Sequence, residues 1–159
     1  MPPKPQRRKR QLDVVTVICF SKDRAFQLKE YLRTLFAYIK NVTLNVKVLW
    51  TTSTQQFHES YVQLQQKFPE VQFIEENNFA SQLKELTVNA DDFILWGVDD
   101  VFYYNPVDLR PFLMEMDRND DILVSHLRLS PNITYCHPSD AYSVLPEFHV
   151  IEGNDGTLR

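Results

Sequence analysis

Asp99 and Asp100 are the residues of this chain whose type and spacing could most directly do chemistry. They follow an apolar run, residues 93–98, that is typical of a buried strand, so the two carboxylates come where that strand would leave the core. Two adjacent negative charges between Val98 and Val101 are costly to desolvate unless a positive charge compensates them. Carboxylate oxygens are preferred ligands of Mg²⁺ and Mn²⁺, so the pair predicts a divalent-cation site that would hold a phosphate. The alternative interpretation is a solvated turn that closes the strand.

The elements that would position this pair alternate along the chain. β-branched and apolar runs predict strands at residues 14–20, 46–50, 71–74, 93–98 and 122–129. Apolar residues at helical spacing predict helices over residues 25–39, 57–68 and 79–86, and a short helix that carries Phe112, Leu113 and Met116. We expect Ser21 or Asp23 to cap the first helix, Thr54 the second and Asp108 the last. Trp50 and Trp96 lie inside predicted strands and are expected in the core.

This alternation predicts an α/β fold: a Rossmann-like, mainly parallel sheet with helices on both faces. The first strand and the strand that ends at Val98 are expected at the centre of the sheet, because both are almost wholly apolar. Right-handed crossovers place the carboxyl ends of parallel strands at one edge, where open α/β sheets bind ligands. Polar residues follow four strands at that edge, at positions 21–24, 51–53, 75–76 and 99–100.

Composition excludes several classes of function. The 159 residues include only three glycines, so no glycine-rich loop can hold a phosphate, and both the P-loop and the dinucleotide fingerprint are excluded. A net charge of −4 argues against the whole molecule as an electrostatic partner of nucleic acid. Cys19 and Cys136 have no metal-binding or redox spacing. Because glycine-rich loops are excluded, any phosphate must be held by a metal, by side chains or by helix N-termini.

Three regions are expected along the chain. Residues 1–11 contain three prolines and five basic residues and predict a disordered basic arm. Residues 12–130 form the α/β domain, and residues 131–159 form a loop-rich C-terminal segment. No apolar stretch reaches the ~20 residues that span a bilayer, and no signal peptide is visible, which predicts no integral membrane segment and a cytoplasmic location if Met1 is the true start.

Two segments, VVTVICFSKDRAFQLKEYLRTLF at residues 14–36 and DDFILWGVDDVFYYNP at residues 91–106, resemble parts of a known family. The first is similar to the opening strand, polar turn and helix of GT-A glycosyltransferases, especially the family 2-like group. The second is similar to the strand that delivers the DxD-type metal motif of these nucleotide-diphospho-sugar transferases. With the strand order between them, the resemblance covers about residues 14–130, the nucleotide-binding half.

The resemblance implies roles for particular residues. In that family the motif carboxylates bind Mn²⁺ or Mg²⁺, which bridges the diphosphate of a nucleotide sugar. Asp100 is then expected to ligate the metal directly, and Asp99 to face the ribose or to lie just outside the metal ligands. Asp23 and Arg24 are expected near the nucleotide. Lys84 is similar to a basic residue that often faces the nucleotide, and an exposed helix lysine is the alternative interpretation.

The chain also departs from the family pattern. Val98 stands where the three-residue motif often begins with Asp, and the turn at residues 51–53 lacks the acidic residue that often recognises uracil. In inverting members the acceptor half supplies the catalytic base, and that half is expected to be short or missing here. Glu147 and Asp155 are the candidate bases downstream, although the sequence around Asp155 is also typical of a turn.

The sequence thus predicts a metal-dependent glycosyltransferase-like domain that binds a nucleotide-diphosphate sugar and transfers the sugar to an unknown acceptor. Two alternatives stay open. One is a truncated or non-catalytic nucleotide-sugar-binding remnant. The other is a nucleotidyltransferase, which could also place a carboxylate pair at a strand end.

Overall fold

The computed structural model describes residues 9–127, 134–142 and 144. The chain divides into two compact units, Met1–Leu123 and Val124–Arg159. The described strands are β1 Val14–Lys22, β2 Ile39–Lys40, β3 Thr43–Thr51, β4 Gln72–Glu75, β5 Ile94–Val98, β6 Val107–Asp108, β7 Tyr135–Cys136 and β8 Ala141–Tyr142. The α-helices are α1 Ala25–Tyr38, α2 Gln55–Gln65, α3 Phe79–Val88 and α4 Arg110–Arg118, and a 3₁₀ turn spans His137–Ser139.

The main sheet of the first unit is parallel and has the order β4-β3-β1-β5. β1 lies at its centre, pairing with β3 from Val14 to Lys22 and with β5 from Thr16 to Phe20. β2 and β6 form a separate two-stranded parallel sheet, and in the second unit β7 and β8 form an antiparallel pair. The predicted α/β class with a mainly parallel sheet and flanking helices is confirmed.

Helices cover both faces of the main sheet. On one face Tyr61 of α2 stacks on Trp50 with ring centroids 4.7 Å apart and an interplanar angle of 13°, and Tyr31 of α1 lies over Gly97. On the other face Leu86 of α3 forms a buried cluster with Ile18 and Leu49. Because successive residues of a strand point to opposite sides, the neighbours Leu49 and Trp50 belong to different layers of the core.

The position predicted for the strand before Asp99 is wrong, because β5 is an edge strand of the described sheet. The fifth strand that would have covered it, predicted at residues 122–129, has no strand structure over residues 122–127, and residues 128–129 lie outside the described part. Leu123 and Val124 are 90% and 56% exposed. These two apolar side chains are therefore largely in solvent, and burial is what would have favoured a strand there.

The two tryptophans have different environments because Trp96 lies in the edge strand β5 and Trp50 in the inner strand β3. Trp50 lies in β3 between two neighbouring strands and is 3% exposed, as the sequence predicts. Trp96 lies in β5 and is 49% exposed, so its predicted place in the core is wrong. The apolar run at residues 93–98 correctly predicted a strand, but it did not show whether that strand has neighbours on both sides.

Helix starts match the predicted caps only in part. The Thr54 hydroxyl accepts a hydrogen bond from Phe57 N–H at 3.3 Å, so this cap of α2 is confirmed. The N-cap of α1 is Arg24, without a side-chain bond, because the oxygens of Ser21 and Asp23 are engaged elsewhere. The N-cap of α4 is one residue after Asp108, whose carboxylate still accepts from Arg110 N–H at 2.9 Å.

The described residues nearest the N-terminus contact the first unit. Arg10 Nη1 donates to the carbonyl oxygen of Met116 at 3.0 Å, and its guanidinium lies 5.9 Å from the ring centroid of Phe93. The Gln11 amide donates to Asp92 Oδ2 at 2.9 Å. Residues 1–8 of the predicted basic arm lie outside the described part. Within the described part, no helix is both long enough and apolar enough to cross a membrane.

Candidate functional site

The carboxyl ends of β1 and β5 bring a group of polar side chains together. Asp99, directly after β5, is 6% exposed, although it carries a carboxylate. Its Oδ2 accepts a hydrogen bond from the Ser21 hydroxyl at 2.7 Å, and its Oδ1 lies 3.5 Å from Arg24 Nη1. A buried carboxylate needs such partners, because burial without them is costly. The site therefore depends on β1 and on the turn that follows it.

Arg24 links the two carboxylates of the pair. Its Nη1 lies 3.5 Å from Asp99 Oδ1 and 3.6 Å from Asp100 Oδ2. The side chains of Arg24 and Asp100 are 52% and 60% exposed, whereas that of Asp99 is 7% exposed. The site thus has a fixed inner carboxylate, an accessible outer carboxylate and an accessible guanidinium between them. Such a site can bind a cation and an anionic group together.

A fifth residue, Tyr61, lies beneath this group. Its hydroxyl is 2.5 Å from Ser21 Oγ and accepts a hydrogen bond from Arg24 N–H at 3.1 Å. The residue is 0% exposed, and burial raises the pKa of its phenol. In the sequence, Tyr61 has the helical spacing of a core residue within the predicted helix at residues 57–68, and only its hydroxyl distinguishes it from an apolar position.

Asp23 does not join the carboxylate pair. Its backbone has a positive φ of 57°, the left-handed region that aspartate tolerates better than most residues. Its carboxylate accepts from Ser53 N at 2.7 Å and from Ser53 Oγ at 2.8 Å. Asp23 therefore connects the turn after β1 to the turn after β3. It also lines an open groove of about 390 Å³ between α1 and α2, whose lining does not include Asp99 or Asp100.

The loop after Asp100 is attached to α1. The backbone N–H of Tyr103 donates to Thr34 Oγ1 at 3.2 Å, and the ring of Tyr103 packs against Tyr31 with centroids 6.3 Å apart. Burial raises the pKa of the Tyr103 phenol. The next residue, Tyr104, is 77% exposed. Of the two tyrosines that follow the acidic pair, one packs onto the domain and the other faces solvent.

The thiol of Cys19 lies in the core near the site. Burial raises its pKa well above the ordinary range, and the negative charges of Asp99 and Asp100 raise it further. The Cys19 side chain is 0% exposed. This cysteine is therefore protonated and inert in the folded protein, in agreement with the absence of a redox spacing.

The remaining predicted site residues are not brought to this group. Lys84 is exposed on α3 and makes no hydrogen bond or ion pair with another described residue. Glu147 and Asp155 lie outside the described residues. Across residues 9–127, 134–142 and 144, no cluster of three or more His, Cys, Asp or Glu side chains could hold a metal ion. Of the predicted site residues, Asp99, Asp100 and Arg24 lie together, and Ser21 and Tyr61 are bonded to this group.

Comparison with known proteins gives one informative match. The Bifunctional glycosyltransferase pgtA of Dictyostelium discoideum is 40% identical to this chain over 141 residues, which are 83% of the chain and 18% of that protein. This chain is related to part of a glycosyltransferase. The match is to less than a fifth of the length of the relative, so it covers one region of a much larger protein. No family model and no solved structure matches the chain.

Proposed function

We propose that the chain is a GT-A-type glycosyltransferase domain that binds a nucleotide-diphosphate sugar at Asp99, Asp100 and Arg24. The observation that carries the proposal is the convergence of two carboxylates and one guanidinium at the carboxyl edge of a parallel sheet. That edge is the ligand-binding edge of open α/β sheets. The identity to a glycosyltransferase supports sugar transfer as the reaction class.

The donor set suits Mg²⁺ or Mn²⁺. These ions retain several waters and are often bound by one or two carboxylates together with substrate phosphates, so a cluster of three protein ligands is not required. Asp100 would hold the ion, because its side chain is 60% exposed and, among the described residues, its one ion pair is with Arg24, at 3.6 Å. Asp99 would lie just outside the metal ligands, since one of its oxygens already accepts a hydrogen bond from the Ser21 hydroxyl. When bound, the cation would neutralise the charge that develops on the diphosphate leaving group.

Arg24 has a separate part in the proposal. The guanidinium compensates both carboxylates in the ligand-free protein, at 3.5 Å and 3.6 Å. A bound cation would replace that compensation and leave the half-exposed guanidinium available to a phosphate oxygen, a contact that arginine forms well. The transfer itself breaks the bond between the anomeric carbon and the diphosphate. The acceptor, its catalytic base and the identity of the sugar are not assigned to described residues.

Calorimetry with nucleoside diphosphates and nucleotide sugars, with and without Mn²⁺, tests the proposal. Asp100→Ala should abolish the Mn²⁺-dependent part of binding and change stability by less than about 0.5 kcal/mol, because an exposed ion pair contributes little. Asp13→Ala is the matched control, since Asp13 is an exposed aspartate at the opposite end of β1. Failure to bind any of these ligands at millimolar concentration with saturating Mn²⁺ would refute the proposal.

Arg24→Ala should weaken nucleotide binding by about 1–3 kcal/mol, because a charge-assisted bond to phosphate is lost. Arg33→Ala is the control, since Arg33 is an exposed arginine of α1 that pairs with Glu30 at 2.8 Å, away from the carboxylate pair. Binding that is strong but independent of metal would leave the nucleotide site in place and show that the role given to Asp99 and Asp100 is wrong.

A further inference from the structure

Two fully buried tyrosines lie under the same face of the sheet, and their hydroxyls differ in hydrogen bonding. Tyr61 of α2 contacts Ser21 Oγ and Arg24 N. Tyr31 of α1 is 1% exposed, and its hydroxyl has no hydrogen-bond partner among the described residues. A buried polar group normally has a partner. The two residues therefore differ in what their hydroxyls do, although their burial is alike.

The direction of the hydrogen bonds around Tyr61 follows from the chemistry of its neighbours. The carboxylate of Asp99 only accepts, so the Ser21 hydroxyl must donate its proton to Asp99 Oδ2, at 2.7 Å. Ser21 Oγ can then only accept from the Tyr61 hydroxyl, at 2.5 Å. The Tyr61 oxygen in turn accepts from Arg24 N–H, at 3.1 Å. The three donors of this hydrogen-bond chain are Arg24 N–H, the Tyr61 hydroxyl and the Ser21 hydroxyl. All three donate in the direction of Asp99.

Aligned bonds of this kind strengthen one another and fix each member in one orientation. Tyr61 is held from its other side by Trp50, whose ring is stacked on it at 4.7 Å. The hydrogen-bond chain also joins three parts of the fold, because its members come from β1 with the turn that follows it, from α2 and from the residue after β5. A rigid helix therefore controls the orientation of both Asp99 and the start of α1, where Arg24 lies.

We infer that Tyr61 is a positioning residue for the proposed nucleotide site: its hydroxyl orients Asp99 through Ser21 and fixes the backbone of Arg24. Because Tyr61 is 0% exposed, it would act through Asp99 and Arg24 rather than by contact with the cation or the nucleotide. This inference rests on the proposed function only for what the site binds, since the hydrogen-bond chain itself is a property of the ligand-free protein. Removal of the hydroxyl should loosen both charged side chains without opening a cavity.

The experiment compares Tyr61→Phe with Tyr31→Phe in the full chain. Each variant removes one buried hydroxyl from a tyrosine of the same face. Tyr61→Phe should raise the Kd for Mn²⁺ with a nucleoside diphosphate about tenfold, because two hydrogen bonds are lost. Tyr31→Phe should leave that Kd unchanged, because its hydroxyl has no partner to lose. Equal Kd values for Tyr61→Phe and the wild type would overturn the inference.

A second measurement needs no ligand and separates this inference from the proposed function. Amide hydrogen exchange of Arg24, followed by NMR, should be at least about tenfold faster in Tyr61→Phe than in Tyr31→Phe, because the acceptor of that N–H is lost. If the wild type binds no nucleotide, the proposed function fails, and the exchange rate alone decides the positioning role. Unchanged exchange at Arg24 would overturn it.

Ser21→Ala provides the same test if Tyr61→Phe does not fold. It interrupts the chain at the next link and leaves the packing of Tyr61 against Trp50 in place. We expect the same weakening of Mn²⁺-dependent binding, about tenfold, with Arg24 exchange unchanged because Tyr61 still accepts from its N–H. Wild-type affinity in Ser21→Ala would show that Asp99 does not need the hydrogen-bond chain, and the inference would be wrong.

Discussion

The neighbours Trp96 and Gly97 of β5 show how differently the two faces of the sheet are built. On the Gly97 side, the backbone of β5 lies close to Tyr31 of α1. A Cβ added at Gly97 would lie 2.1 Å from the Tyr31 hydroxyl oxygen. The Trp96 side is covered by α3 only in part, and the indole is 49% exposed. The face under α1 and α2 carries Tyr61 and is closely packed, whereas the face under α3 is apolar and partly open. Close packing is found on the side from which Tyr61 reaches the proposed site.

Substitution of Gly97 should give the largest effect on stability. In Gly97→Ala the new methyl group would lie 2.1 Å from Tyr31 Oη and 2.7 Å from its Cζ, so a buried ring must move. We expect a loss of about 2–3 kcal/mol in the free energy of unfolding, measured by urea denaturation. The double variant with Tyr31→Phe should recover part of it, since only the hydroxyl oxygen is removed. A loss below about 0.5 kcal/mol would contradict the close packing of this face.

Truncation of Leu86 tests the α3 face. Leu86 is 7% exposed and packs with Ile18 and Leu49. Leu86→Ala should cost about 2 kcal/mol, at the low end for a buried leucine, because the partly open face can relax around the cavity. Val88→Ala, on the same helix and 73% exposed, is the control and should cost less than about 0.5 kcal/mol. Leu86→Ala should leave metal-dependent nucleotide binding unchanged, since α3 supplies no residue to the group around Asp99. Weakened binding in this variant would show that the two faces are coupled.

Replacement of Trp96 should have the smallest effect. Trp96→Phe keeps a ring that can stack on Phe20, which lies 6.1 Å away between centroids, and it removes atoms that are already half in water. We expect a loss below about 0.5 kcal/mol. Trp50→Phe is the comparison, because it removes buried atoms against Tyr61, and it should cost about 1–2 kcal/mol. Similar losses for the two variants in urea denaturation would remove the distinction between the faces.

Local pattern was sufficient to predict most of the elements. The strands around Val17, Val48, Ile74 and Leu95 and the three helices between them follow from hydrophobic periodicity within short stretches of sequence. The neighbours of a strand are not part of that pattern. Residues 93–98 and residues 122–129 both contain apolar runs; the first forms a strand at the sheet edge, whereas the described part of the second, residues 122–127, has no strand structure. Whether an apolar run forms a buried strand depends on the tertiary structure around it.

The topology of a parallel sheet was enough to predict which residues of the candidate site lie close together. The residues after β1 and β5 meet at one sheet edge, and Asp99, Asp100 and Arg24 are found together there. The orientation of Asp23 could not be read from the sequence, because its carboxylate binds the turn after β3. Nor could the role of Tyr61, because its partners lie in a distant turn and its ring has the helical spacing of a core residue. Polar contacts between distant elements leave little trace in local spacing.

The bond between Tyr103 N–H and Thr34 Oγ1 has a consequence for how this region can diversify. The short loop from Asp99 to Tyr103 is held at its start by Ser21 and at its end by α1. Asp100 therefore lies on a segment whose two ends belong to the rigid domain, while Tyr104 faces solvent. Insertions and substitutions from Tyr104 onward can therefore change the neighbouring surface without displacing the acidic pair. Under the proposed function, such changes would alter which acceptor is recognised and leave the nucleotide site in place.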